Sequence, residues 1–328
     1  MLVVAATGFL GGHAAQTFVA DGHDVRALVR SAPRAAKDPR LLGVRVVEGT
    51  LGAIPEEVLA EAHDAVVYAA GVWRRGDASP PDEVRRRCEE VYVRGVEALA
   101  GHALSHGAHF VFVSGVSRYG DLRWDGALRE DASPGKLSVY GAYKRRSEDI
   151  LARAATRGLR FTALVPPEVY GAHDPGGYVR FVHDRVRARR FILLGDGENR
   201  WSLCNVRNVA AAAVHFAARD GAGVVHIADA RASSQRELAA TIARALGRTP
   251  RFPSVPRRVA LAAARLNAWI PRPSSAPPPF APAHVRVRSA TQLIDISRAR
   301  DAGFEPEFEL EEGIRAAVGW WRDREMEG

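Results

Sequence analysis

Cysteine, lysine and long apolar runs are all scarce in this 328-residue chain. Its two cysteines, Cys88 and Cys204, have neither the density of a disulfide scaffold nor the spacing of metal ligands. No metal is therefore expected, and a reducing, cytoplasmic setting is. No window approaches the roughly eighteen uncharged apolar residues of a transmembrane helix. The apolar opening lacks a basic leader and stops at Gly8, unlike a signal peptide. Of 46 basic residues only Lys37, Lys136 and Lys144 are lysines, and arginine is scattered through nearly every segment. Although the formal charge is +8, the densest groups, Arg85-Arg86-Arg87 and residues 185–190, lie in helix-like patterns. They read as solvated faces rather than a nucleic-acid surface. The excess of positive charge suits an anionic ligand.

What is present is ordinary globular sequence, 47% hydrophobic and 26% charged. Its length slightly exceeds the size at which single cores stop growing, so two lobes are expected. Short, nearly continuous apolar runs at Leu2 to Ala5, Val25 to Val29, Val44 to Val47, Ala65 to Ala70, Phe110 to Val113 and Phe161 to Val165 read as strands. Between them lie helix-periodic stretches, the longest from Glu83 to His106 and another from Tyr140 to Ala155. This alternation predicts a doubly wound parallel sheet covered on both faces. The dinucleotide-type domain is placed at 1–166, with segments near 200–228 returning to it, and a smaller, discontinuous lobe at 167–328. In that lobe Val206 to Ala218, Ser234 to Leu246, Arg257 to Ile270 and Leu310 to Trp321 read as helices, and Pro271 to Pro282 as a surface loop or lid.

The first strand breaks into Gly8-x-x-Gly11, followed by small and apolar residues: strand, tight turn, helix. Glycines let backbone approach a pyrophosphate, and the free N–H groups of a helix N-terminus supply its counter-charge. The spacing of the usual turn would put its first glycine at position 5, where this chain has Ala5. If that position requires positive φ, alanine costs about 1–2 kcal/mol. Arg30 follows the second strand, nineteen positions beyond Gly11. A carboxylate there would grip the 2′-hydroxyl of NAD, whereas an arginine accommodates the 2′-phosphate of NADP. NADP(H) is the expected cofactor, with Arg34 in support and NAD(H) the alternative.

The most specific signal is Tyr140-Gly141-Ala142-Tyr143-Lys144. Positions i and i+4 share a helix face, so the phenol and the ammonium converge on one site. A nearby cation favours the phenolate and brings the group toward a range useful for proton transfer. With seven tyrosines and three lysines in 328 residues, chance supplies such a pair roughly 0.06 times.

On these residues the chain resembles the extended short-chain dehydrogenases/reductases, the superfamily of NAD(P)-dependent epimerases and dehydratases. The resemblance extends through Thr7 to Gly11, Glu48 to Leu51, Tyr68 to Gly71, Ser114 to Gly120, Pro166 to Gly171 and Gly195-Asp196-Gly197. Val72-Trp73 and the tail, Asp295 to Arg300, Gly303-Phe304 and Leu310 to Gly313, are similar to its 3β-hydroxysteroid dehydrogenase-like and dihydroflavonol-reductase-like branch. The resemblance implies that Tyr140 is the general acid or base and that Lys144 holds the nicotinamide ribose and depresses the Tyr140 pKa. It also implies that backbone groups of Phe9, Leu10 and Gly11 meet the pyrophosphate, with Thr7 and Gly8 in the same cofactor-binding turn, that Leu51 meets the adenine, with Thr50 beside it where the family has aspartate, and that Ala69, Ala70, Pro166 and Val169 meet the rest of the cofactor. A homodimer through 83–106 and 140–155 is suggested on the same ground.

The departures carry weight too. The family's asparagine in the long helix is Tyr92, and its carbonyl-polarising serine or threonine, twenty-five residues before the tyrosine, is Gly115. Losing a preorganised donor of this kind costs about 10²–10³ in rate. Ser114 and Ser117 flank the gap as substitutes, and Ser138 is a third candidate. The reading that results is an NADP(H)-dependent ketoreductase or alcohol dehydrogenase for a mostly apolar small molecule. The alternatives are a nucleotide-sugar epimerase or dehydratase, and a cofactor-binding protein with no redox turnover.

Overall fold

The computed structural model describes residues 1–72, 81–121, 126–268 and 281–327. Trp73, most of the polar loop before Pro81 and most of the proline-rich stretch at 271–282 lie outside them.

Seven strands form one parallel sheet: β1 (Leu2–Val4), β2 (Arg26–Val29), β3 (Arg45–Glu48), β4 (Ala65–Tyr68), β5 (His109–Val113), β6 (Arg160–Val165) and β7 (Gly223–His226). Their order is β7-β6-β5-β4-β1-β2-β3, so the chain reverses direction across the sheet between β1 and β4. In such sheets the crevice outside the strand ends at the reversal is where ligands bind. Strands β1, β2, β4 and β5 are buried along their whole length, as a sheet covered on both faces requires. One face packs α1 (Phe9–Ala20) and the later helix Val206–Ala217 through Ala14, Phe18, Val209 and Phe216. The other face packs a helical stretch from Pro81 to Ser105 and the helix Val139–Ala155 through Leu99, Ala103, Ile150 and Leu151. The doubly wound α/β fold expected from the alternation is the fold observed.

The long helix differs from its expected form. It divides into α2 (Pro81–Glu89), a π-helical turn over Glu90–Arg94, and α3 (Gly95–Ser105). The Tyr68 hydroxyl donates to the Val91 carbonyl, and the Gly95 N–H goes to Glu90 instead, five residues back. A side chain inserted into the ladder is a sufficient cause of such a bulge. The partner was invisible in the sequence because Tyr68 arrives from β4.

After α4 (Val139–Ala155) and β6, a separate apolar core gathers Tyr170 from the short strand Glu168–Tyr170 and Tyr178, Val182, Leu238, Ile242, Ile314 and Trp321 from helices Tyr178–Arg187, Gln235–Ala245 and Leu310–Glu327. A short parallel pairing of Leu203–Asn205 with Glu168–Tyr170 leads the chain back toward β7. Among the described residues no helix is long and apolar enough to cross a membrane, and no cluster of three metal-ligating side chains occurs.

Candidate active site

The turn after β1 is built almost entirely from backbone. The Gly8 N–H donates to the Ala5 carbonyl at 2.8 Å, and the first bond of α1 runs from Gly12 to Gly8. The amides of Phe9, Leu10 and Gly11 therefore form the open first turn of a helix with no acidic side chain there, a donor set that fits an anion. Ala5 sits at φ 61°, so the left-handed conformation is required and alanine bears it. Gly11 is needed for a different reason: a Cβ there would lie 2.4 Å from the Ala5 carbonyl oxygen. Thr7 is half-buried in the same turn. Ala69 and Ala70 follow β4, the neighbour of β1, and Pro166 and Val169 follow β6, so both pairs leave the same edge of the sheet. Leu51 is half-buried against the core beside Gly95, while Thr50 is exposed and accepts from the Ala53 amide at 3.2 Å. Arg30, just beyond β2, is exposed, and its guanidinium has no partner among the described residues. Arg34 is exposed beside it.

The catalytic candidates lie where β5 ends and α4 begins. Ser138 caps α4, accepting from the Gly141 amide at 3.1 Å, a structural role for that serine. Helical spacing then aligns Tyr140, Lys144 and Glu148 on one face. Lys144 is buried, its Nζ donating to the Val113 carbonyl at 2.6 Å and lying 4.8 Å from the ring centres of both Tyr92 and Phe112. Burial pulls its pKa down to about 7, with Glu148 opposing the fall. The buried Glu148 is occupied by Arg118 at 2.6 Å and by the Ser114 hydroxyl at 2.5 Å. Ser114 is thereby committed to the carboxylate. Ser117, in the 3-10 turn Val116–Tyr119 that packs on α4, has a buried hydroxyl oxygen with no partner among the described residues.

The Tyr140 phenol corrects one expectation. Burial pushes its pKa up, and the opposing influence is hydrogen bonding from Tyr92 rather than the charge of Lys144. The physical reason is one of placement: the Lys144 Nζ is directed at the Val113 carbonyl and lies 5.7 Å from the Tyr140 ring centre. The Tyr92 ring meets Tyr140 edge-on at 5.7 Å, and its hydroxyl accepts the Val72 N–H at 3.0 Å.

The structure therefore groups Ser114, Ser117, Tyr140 and Lys144 at one corner and the glycine turn, Ala69 and Ala70 at the adjoining strand ends. Sequence reasoning missed Arg40, a buried arginine that donates to the Gly8 and Phe9 carbonyls at 3.2 Å each and pairs with Asp38. Nothing distinguishes it among so many arginines. Glu148 did carry a signal, continuing the Tyr140–Lys144 spacing by four.

Residues 1–228 match the model of the NAD dependent epimerase/dehydratase family. The chain is 24% identical to Uncharacterized protein YbjS of Escherichia coli (strain K12), covering 98% of each. It is 26% identical to a 4-hydroxy-2-methyl-3-oxo-4-farnesyl-3,4-dihydroquinoline-1-oxide ketoreductase of Stigmatella aurantiaca, covering 96% of this chain and 94% of that one. In fold it is similar to UDP-glucuronic acid 4-epimerase from Bacillus cereus, solved in complex with NAD, with a TM-score of 0.74, 16% identity and 98% of each chain covered.

Proposed function

The chain belongs to the NAD dependent epimerase/dehydratase family, and we propose that within it this protein is an NADP(H)-dependent ketoreductase or alcohol dehydrogenase acting on a mostly apolar small molecule. The observation that carries the reading is the Tyr140–Lys144 pair on one face of α4, beside the strand ends that adjoin the glycine turn. The Stigmatella relative, named as a ketoreductase and matched along nearly its whole length, supports a ketone over a nucleotide sugar.

When bound, the dinucleotide supplies the hydride. The Phe9, Leu10 and Gly11 amides hold its pyrophosphate, with Thr7 and Gly8 completing the turn. Arg30, free of protein partners among the described residues, meets the 2′-phosphate, and Arg34 stands by. Thr50 and Leu51 border the adenine, and Ala69, Ala70, Pro166 and Val169 line the remainder. Lys144 holds the nicotinamide ribose. Tyr140 gives its proton to the carbonyl oxygen, or takes it back in the direction of oxidation. Ser117 takes the polarising role that Gly115 cannot, because the Ser114 hydroxyl already serves Glu148. Most of the substrate-binding surface comes from the 167–328 lobe, outside the segments near 200–228 that return to the dinucleotide domain.

The test is oxidation of NADPH against a panel of apolar ketones, run beside Tyr140→Phe. Ketone-dependent oxidation that falls about 10²–10⁴-fold in the variant, with NADPH binding and thermal unfolding unchanged, supports the assignment. Tight NADPH binding with no oxidation by any ketone overturns it in favour of a cofactor-binding role. Turnover of nucleotide sugars with NAD alone overturns it in favour of an epimerase or dehydratase.

A further inference from the structure

The proton donor just assigned has a second phenol beside it. Tyr92 is fully buried at the centre of the π-helical turn, where the helix departs from its regular ladder. Bulges of this kind recur at functional sites. Two other side chains fasten the turn: Ser147 donates to the Tyr92 carbonyl at 2.6 Å, and Tyr68 donates to the Val91 carbonyl. The Val72 N–H donates to the Tyr92 oxygen at 3.0 Å. A tyrosine whose oxygen already accepts an N–H has its own proton left to give, and the Tyr140 ring lies edge-on at 5.7 Å. Lys144 spends one of its donors on the Val113 carbonyl, and its Nζ lies 5.7 Å from the Tyr140 ring centre.

We propose that Tyr92 is a positioning residue for proton transfer: held by the Val72 N–H, its hydroxyl donates to the Tyr140 oxygen and stabilises the phenolate formed when Tyr140 releases its proton. In ketone reduction the hydride forms the new C–H bond while the Tyr140 O–H bond breaks and the alcohol O–H bond forms. The negative charge stays on the Tyr140 oxygen until solvent returns a proton. A donor aimed at that oxygen favours the charged form, and the Val72 N–H polarises the donor further. The other groups facing the two phenols are Lys144 on α4, the buried Cys88 one turn before Tyr92, and the apolar Phe112 ring from β5. Tyr143 follows on α4 near Glu89 and Arg146.

The inference rests on the ketoreductase reading for its reaction but not for its measurement. The Tyr140 titration is read by NMR of ring-labelled tyrosine, assigned with Tyr140→Phe, in the protein with and without NADPH. In Tyr92→Phe it should move upward by about one pH unit, a tenfold change in proton affinity, and the alkaline limb of the kcat profile for ketone reduction should move with it while KM holds. A fluorotyrosine at position 92, nearly the same size and a more acidic donor, should move both downward and keeps the test available if Tyr92→Phe does not fold. An unmoved titration in either variant overturns the proposal and leaves Tyr92 a packing residue, whatever the activity does. If the titration moves but no ketone is reduced by any form, the pairing of the phenols stands and the ketoreductase reading falls.

Discussion

The turn after β1 and the corner between β5 and α4 each lack a residue that the resemblance leads one to expect, and they respond in opposite ways. At the turn, Ala5 is forced to φ 61°. The cost is a strain of about 1–2 kcal/mol, yet the amides of Phe9 to Gly11 remain free for an anion because every residue carries an N–H. At the corner, Gly115 is extended, with φ 164°, and nothing is strained. The hydroxyl is simply missing, and no backbone adjustment can supply one. A site made of main-chain donors absorbs substitution as strain, whereas a site made of side chains has its chemistry rewritten.

The sharpest test of that contrast is to restore the missing group. A Cβ on Gly115 would find its nearest neighbour, the Pro166 carbonyl oxygen, at 3.8 Å, so Gly115→Ser should fold normally. Ketone reduction should rise about 10–100-fold if a hydroxyl at position 115 polarises the carbonyl better than Ser117 does. An unchanged kcat would mean that Ser117 already polarises the carbonyl. Arg30→Ala should come next in size, weakening NADPH about tenfold or more while leaving NADH nearly unchanged, as read by fluorescence titration. Equal losses for the two cofactors would remove the basis for preferring the phosphate.

Acid–base behaviour separates the two regions as well, since amides do not titrate and Lys144 does. Its pKa falls from 10.5 to about 7 on burial. Below about pH 7 the native and unfolded chains both hold the proton. Between there and 10.5 only the unfolded chain holds it, so stability should rise with pH across that window. Melting temperatures of the cofactor-free protein should show the rise, and Lys144→Met should flatten it. The smallest effect belongs to the turn. Ala5→Gly relieves native strain but loosens the unfolded chain, for a net gain of up to about 1 kcal/mol in denaturant unfolding and little change in cofactor affinity. A large change in affinity would show that the turn was not so tolerant.

The order of strands and helices was legible because each buried strand reads as an apolar run and each covering helix repeats with its own period. The glycine turn and the Tyr140–Lys144 spacing were legible for a related reason: both are local, set within five residues. The environment of those side chains was not. That Lys144 is turned toward Val113, that Ser114 serves Glu148, and that Tyr92 leans on Tyr140 are facts about residues 31, 34 and 48 positions apart.

The chain by itself therefore determined the parallel sheet, the place of the glycine turn and the shared helix face of Tyr140 and Lys144, since periodicity and i, i+4 spacing act along the backbone. Which hydroxyl stays free, which cation is buried and which phenol meets the other were decided only in three dimensions. Desolvation and hydrogen-bond partners depend on what β4, β5 and the π-helical turn bring against α4, and such neighbours leave no periodic trace in a sequence.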